Sequence, residues 1–239
     1  MKNARYALLI VSLLFVQSVG YSQSRQRWSF GPRVGLNLTN FVGSDAVNRQ
    51  LNTIDPDSRS NQLLPGLSAG VGFIYSDVSR FGAAVDLLYS QRGAQAKTNL
   101  GSVATTITNR VNYLELPITA RYFLNRSGNF RPNIYAGIVP ALRLNATTRE
   151  KAADGKDVKT DVTQLYRTAD LGLTAGFQAN FRVADRQRFT VDARYTHGIT
   201  NVALNTTDLR NQMITVGLGY NFGIGRQYQP GDRKLPISQ

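Results

Sequence analysis

His197 is the chain's only histidine, with Thr196 and Thr200 nearby and Asp208 in the following loop. A base, hydroxyls and a carboxylate are the parts from which a base-activated nucleophile is assembled, so hydrolysis or acyl transfer on lipids or peptides is one chemistry to weigh. No catalytic serine pattern accompanies His197, and a residue tolerated at a strand end is the simpler expectation. A metal centre is not expected: the chain has no cysteine, and Asp154-Gly155-Lys156-Asp157 lacks the full oxygen series of a calcium loop and reads as a turn. No cofactor is expected either.

The more informative set is Arg33, Asp86, Arg92, Glu115, Arg121, Arg143, Asp170, Asp192 and Arg194, five basic and four acidic residues set at alternate positions inside otherwise apolar segments. That spacing suits charge pairing in an enclosed space rather than catalysis. Removing a charge from water costs several kcal/mol unless an opposite charge meets it. Asp170 and Asp192 are therefore expected to find basic partners on neighbouring strands, with Arg143 and Arg194 the candidates.

The elements that must position these charges follow a period of two. From Ala169 to Phe181 the odd positions are Ala, Leu, Leu, Ala, Phe, Ala and Phe, and the even ones are Asp, Gly, Thr, Gly, Gln and Asn. The same alternation runs from Trp28, Leu67, Phe81, Leu114, Ile134, Phe189 and Ile214, which makes eight strands. Short connections near 77–80, 125–130 and 184–187 alternate with long polar ones near 42–64, 93–110, 145–167 and 198–210. An even number of antiparallel strands, tight at one end and loopy at the other, predicts an all-β, eight-stranded, antiparallel up-and-down transmembrane β-barrel. Tyr75, Phe81, Tyr89, Tyr122, Tyr195, Tyr220 and Phe222 fall near strand ends on the apolar face, where aromatic girdles meet headgroups.

Alternation alone also fits a soluble barrel with the faces reversed. Face composition separates the two. A water-facing side calls for abundant Lys and Glu, whereas the polar face here is Gly, Thr, Ser and Asn with near-balanced charge. The apolar face is accordingly expected to meet lipid.

Residues 1–22 read as a signal peptide, with Lys2 and Arg5 ahead of the apolar run Ala7 to Val16 and Gly20-Tyr21-Ser22 before the expected new N-terminus, Gln23. The run is too short to span a bilayer as a helix. Residues 23–222 then form one barrel domain, and 223–239 a periplasmic C-terminal tail. The formal charge is +13, and loss of Lys2 and Arg5 leaves +11. This admits an anionic lipid or glycan partner, though no run of five like charges concentrates it. Export argues against nucleic acid.

The segment NYLELPITARYFL, Asn112 to Leu124, resembles the porin-family outer-membrane β-barrels of Bacteroidetes, the group that includes PorT-like proteins. PNIYAGIVPALRL from Pro132, DLGLTAGFQANF from Asp170, FTVDARYTHGITN from Phe189 and ITVGLGYNF from Ile214 are similar to that family's later strands. The resemblance implies an integral barrel in the outer membrane with both termini periplasmic. It implies outer-membrane lipid, lipopolysaccharide and the barrel assembly machinery as partners. Barrels of this size fill their lumen with side chains, so the word porin does not imply an open channel. The tail GIGRQYQPGDRKLPISQ departs from barrels that end on a terminal aromatic.

Three functions follow as expectations. The first is a non-enzymatic barrel with a structural role, or one binding a cell-surface or periplasmic protein partner. The second is a barrel enzyme acting at the outer rim through His197. The third is a narrow, anion-preferring pore.

Overall fold

The computed structural model describes residues 27–44, 61–76, 80–100, 103–125, 128–184, 186–205 and 207–224. The expected signal peptide and the tail from residue 225 lie outside them. Strands β1 (Arg27–Val42), β2 (Asn61–Gln62), β3 (Leu64–Ser76), β4 (Phe81–Leu100), β5 (Val103–Glu115), β6 (Ile118–Phe123), β7 (Asn133–Ala152), β8 (Asp157–Asp161), β9 (Ala169–Ala184), β10 (Gln187–Gly198) and β11 (Arg210–Ile224) account for most of these residues. β11 thus runs two residues past the expected boundary at Phe222.

Each long strand pairs antiparallel with its neighbours, and β1 pairs with both β3 and β11, so the sheet closes on itself. β5 and β6 are two pieces of one stave interrupted at Leu116 and Pro117. Pairing continues across the break, because Asp86 N–H reaches the Pro117 carbonyl and Leu116 N–H the Pro140 carbonyl. Eight staves result, with β2 and β8 added at the rim. A closed antiparallel ring leaves no unpaired edge, which is the condition for crossing a bilayer with strands.

The faces are inverted relative to a soluble protein. Leu36, Leu173 and Val216 are half or more exposed on the outside, while Asn37, Ser90, Thr196 and Asn221 are buried inside. Aromatic side chains gather at the tight end, where Trp28 packs on Tyr75, Phe30 on Phe73, Phe81 on Tyr122 and Tyr220 on Phe222. At the other end Tyr89 and Tyr195 stand on the outer face.

Two of the segments expected to be irregular loops are strand. β4 and β7 are each 20 residues long, about twice what a crossing requires. β4 beyond Ser90 pairs with β5 from Leu100↔Val103 downward, β5 pairs with β7 up to Thr105↔Ala152, and β8 adds to β7. Their Thr-rich composition suits strands but lacks an apolar face, so no alternation marks them. Asp154 to Lys156 forms the turn between β7 and β8, with Gly155 at φ +93° and the Asp154 carboxylate accepting from Lys156 N–H.

Candidate functional site

The lumen holds two charged layers. In the layer nearer the long-loop end, Arg92 of β4 donates from Nε to Glu115 Oε1 at 2.7 Å and from Nη1 to Asp170 Oδ2 at 3.1 Å. Its guanidinium lies 5.2 Å from the centre of the Tyr113 ring. Asp170 also accepts from the Asn211 amide at 2.8 Å and the Thr200 hydroxyl at 2.6 Å. Arg92 is 1% exposed and Glu115 equally enclosed, so water contributes little to either charge.

In the layer nearer the tight end, Asp86 of β4 is met by Arg33 at 3.9 Å and Arg194 at 3.4 Å. Arg194 also reaches Asp192 at 3.4 Å, from the same strand β10 and not from a neighbouring one as expected, and the Tyr135 hydroxyl donates to Asp192 at 2.7 Å. Arg121 donates to Gln178 at 2.6 Å and Asn133 at 3.3 Å and lies over the Tyr135 ring. Arg33 completes the layer by donating to Asn221 at 2.6 Å. Glycine makes room for it, since a Cβ at Gly219 would come within 2.4 Å of the Arg33 guanidinium.

Arg143 does not join either layer. Its side chain turns up from β7 and donates to the carbonyls of Thr163 and Tyr166, so the expected Asp170–Arg143 pair is replaced by Asp170–Arg92. The reason is the chain crossing the mouth above it. The 3-10 turn Thr163–Leu165 places the carbonyls of Thr163 and Tyr166 within reach of the Arg143 guanidinium.

 

Above the Arg92 layer the mouth is closed by an apolar cap. Tyr166, Val202, Ala203 and Leu209 fold in from the two long connections and pack with Phe41 and Val111 of the wall. Tyr166 bridges to Ala203, and Val202 N–H reaches the Leu209 carbonyl at 2.8 Å. The connection 198–210 was expected to be a long polar loop, and the burial of Val202, Ala203 and Leu209 corrects that expectation. Between the two charged layers a cavity of about 30 Å³ remains, lined by Asn37, Ser90, Asp192 and Thr215 among others, which is room for one or two waters.

His197 stands outside this arrangement. Its ring faces outward beside Tyr195, whose hydroxyl lies 3.3 Å from Nδ1. Thr196 points inward to Thr174 at 3.2 Å, Thr200 donates to Asp170, and Asp208 pairs with Arg210 at 2.8 Å. The hydrogen bond from Ser44 N–H holds the Asp208 carboxyl below the usual carboxylate range. Among the described residues no group of three His, Cys, Asp or Glu side chains could hold a metal ion.

The polar face of the alternation already held Asn133, Tyr135 and Gln178, whereas Tyr113, Asn211 and Arg131 were not singled out as lumen residues. For Tyr113 and Asn211, the parity they share with Glu115 and Thr215 was the available signal. Arg131 lies over the Phe123 ring at the tight end, 4.1 Å from its centre.

Residues 21–204 match the family described as outer membrane protein beta-barrel domain. No curated protein sequence matches the chain. Among solved structures, the chain is similar to Ail, the attachment invasion locus protein of Yersinia pestis, in complex with the heparin analogue sucrose octasulfate, at 12% identity and TM-score 0.40, covering 82% of this chain and 99% of that one. It is similar to OprG from Pseudomonas aeruginosa at 10% identity and TM-score 0.49, covering 85% and 98%. It is also similar to Neisserial surface protein A at 15% identity and TM-score 0.39, covering 80% and 95%.

Proposed function

The chain belongs to the outer membrane protein beta-barrel domain family, and on that premise we propose that it is a non-enzymatic integral barrel, closed to ions, whose long-loop end forms a built platform on the cell surface. The observation that carries the reading is the closed cross-section of the lumen. Arg121, Gln178, Asn133 and Tyr135 span it as a buried, mutually bonded layer, and an apolar cap covers the opposite mouth. A conducting path needs a continuous wet route, and the cavity of about 30 Å³ between the layers is room for only one or two waters.

The separation of His197 from Thr196, Thr200 and Asp208 supports the non-enzymatic reading over a rim enzyme. Both termini in the periplasm, contact with lipopolysaccharide and insertion by the barrel assembly machinery are parts of the same proposal. So is the finer assignment to PorT-like barrels of Bacteroidetes, which rests on the segment Asn112 to Leu124. Planar-bilayer recording of the refolded full chain tests the closed lumen. No conductance steps are expected, and a stable anion-preferring conductance would overturn the reading.

A further inference from the structure

The strand extension above the barrel carries a graded outward face. Register gives its rows. The row Tyr89, Leu114 and Leu142 is apolar and belongs to the lipid-facing wall. Above it lies Gln91, Asn112 and Asn145, then Arg110, Thr147 and Asp161, then Gln95, Thr108, Arg149 and Lys159, then Lys97, Thr106, Lys151 and Asp157. The inward positions between these rows, Val111 and Ala146, are fully buried, which fixes the outward parity of the rest.

Five cations, Lys97, Arg110, Arg149, Lys151 and Lys159, therefore share the outward face with two anions, Asp157 and Asp161, an excess of three positive charges. At about 3.3 Å per residue and a tilt near 40°, the charged rows stand roughly 10 to 20 Å above the Leu114 row. That is where a lipid-facing wall leaves the acyl chains and meets headgroups. Elsewhere on the rim Arg210 is matched by Asp208.

We propose that this face binds the phosphate groups of a phosphorylated glycolipid in the outer leaflet. The inference rests on the reading that the long-loop end faces outward. Continuity with the apolar wall favours a lipid over a soluble anion, because acyl chains seated on Leu114 and Leu142 place the attached phosphates against the basic rows. Basic residues at an anionic lipid surface each strengthen binding by roughly five-fold, and salt weakens the effect.

The test uses the full chain refolded in micelles and titrated with bis-phosphorylated lipid A, its dephosphorylated form, and inorganic phosphate. The wild type is expected to prefer the phosphorylated lipid. The triple variant Arg149→Gln, Lys151→Gln, Lys159→Gln should lose on the order of 100-fold in affinity, while Arg210→Gln changes little. Heat-modifiable migration verifies that each variant is folded, and the charge-conserving Lys151→Arg, Lys159→Arg variant should retain binding. Equal binding by the triple variant, equal binding of the dephosphorylated lipid, or displacement by inorganic phosphate at matched concentration would overturn the proposal. Labelling of Lys159→Cys on whole cells by an impermeant maleimide tests the orientation separately, and absence of labelling would overturn the orientation and the leaflet assignment together.

Discussion

Replacing Arg92 with glutamine removes the cation shared by Glu115 and Asp170. Arg92 is 1% exposed, and its contacts of 2.7 and 3.1 Å leave no room for water to substitute. Asp170 keeps its bonds from Asn211 and Thr200, so Glu115 is the more exposed to the loss. Removing one partner of a buried pair costs about 3–5 kcal/mol. Glu115→Gln should cost less, about 1.5–3 kcal/mol, because Arg92 retains Asp170. The double variant should cost less than the two singles together by about 1–3 kcal/mol. Urea unfolding in micelles, followed by the fluorescence of Trp28 at the distant tight end, measures all three. An Arg92→Gln cost within about 0.5 kcal/mol of zero, or strict additivity, would refute the enclosed charge layer.

Leu173 and Leu204 are similarly exposed, at 51% and 55%, but only Leu173 faces the wall's lipid side. Leu173→Arg is expected to cost roughly 2–4 kcal/mol, and Leu204→Arg close to nothing, by the same unfolding assay; equal costs would count against a lipid-facing wall. Gly31 lies on the closing seam between β1 and β11, where a Cβ would fall 1.6 Å from the Tyr220 carbonyl oxygen. Gly31→Ala should therefore block closure more severely than the 1–3 kcal/mol typical of overpacking, read as loss of the heat-modifiable band. Leu209→Ala should loosen the cap at a cost of about 2–5 kcal/mol and speed amide exchange at Val202, and unchanged exchange would mean that the cap is not held by packing.

Strand faces were legible because lipid outside and a filled lumen inside impose strict alternation, and β9 shows it over thirteen residues from Ala169 to Phe181. What single-strand patterning does not carry is which charges meet. Arg92 is 23 residues from Glu115 and 78 from Asp170, and the stagger between staves decides the pairing. Arg143 shows the limit: its inward parity was readable, but its acceptors come from the connection after β7 folding back over the mouth. The cap was hidden for the same reason, since Tyr166, Val202 and Leu209 sit as isolated apolar residues in polar stretches. The upper halves of β4, β5 and β7 were hidden because neither of their faces is apolar.

Fractionation combined with gel migration distinguishes a closed, lipid-solvated barrel in the outer membrane from a soluble protein. A ring with all eight staves paired keeps its backbone hydrogen bonds internal and resists detergent until heated. The protein should be recovered with the outer membrane, and unboiled samples should migrate differently from boiled ones. Recovery as a soluble periplasmic monomer, with migration indifferent to boiling, would contradict it.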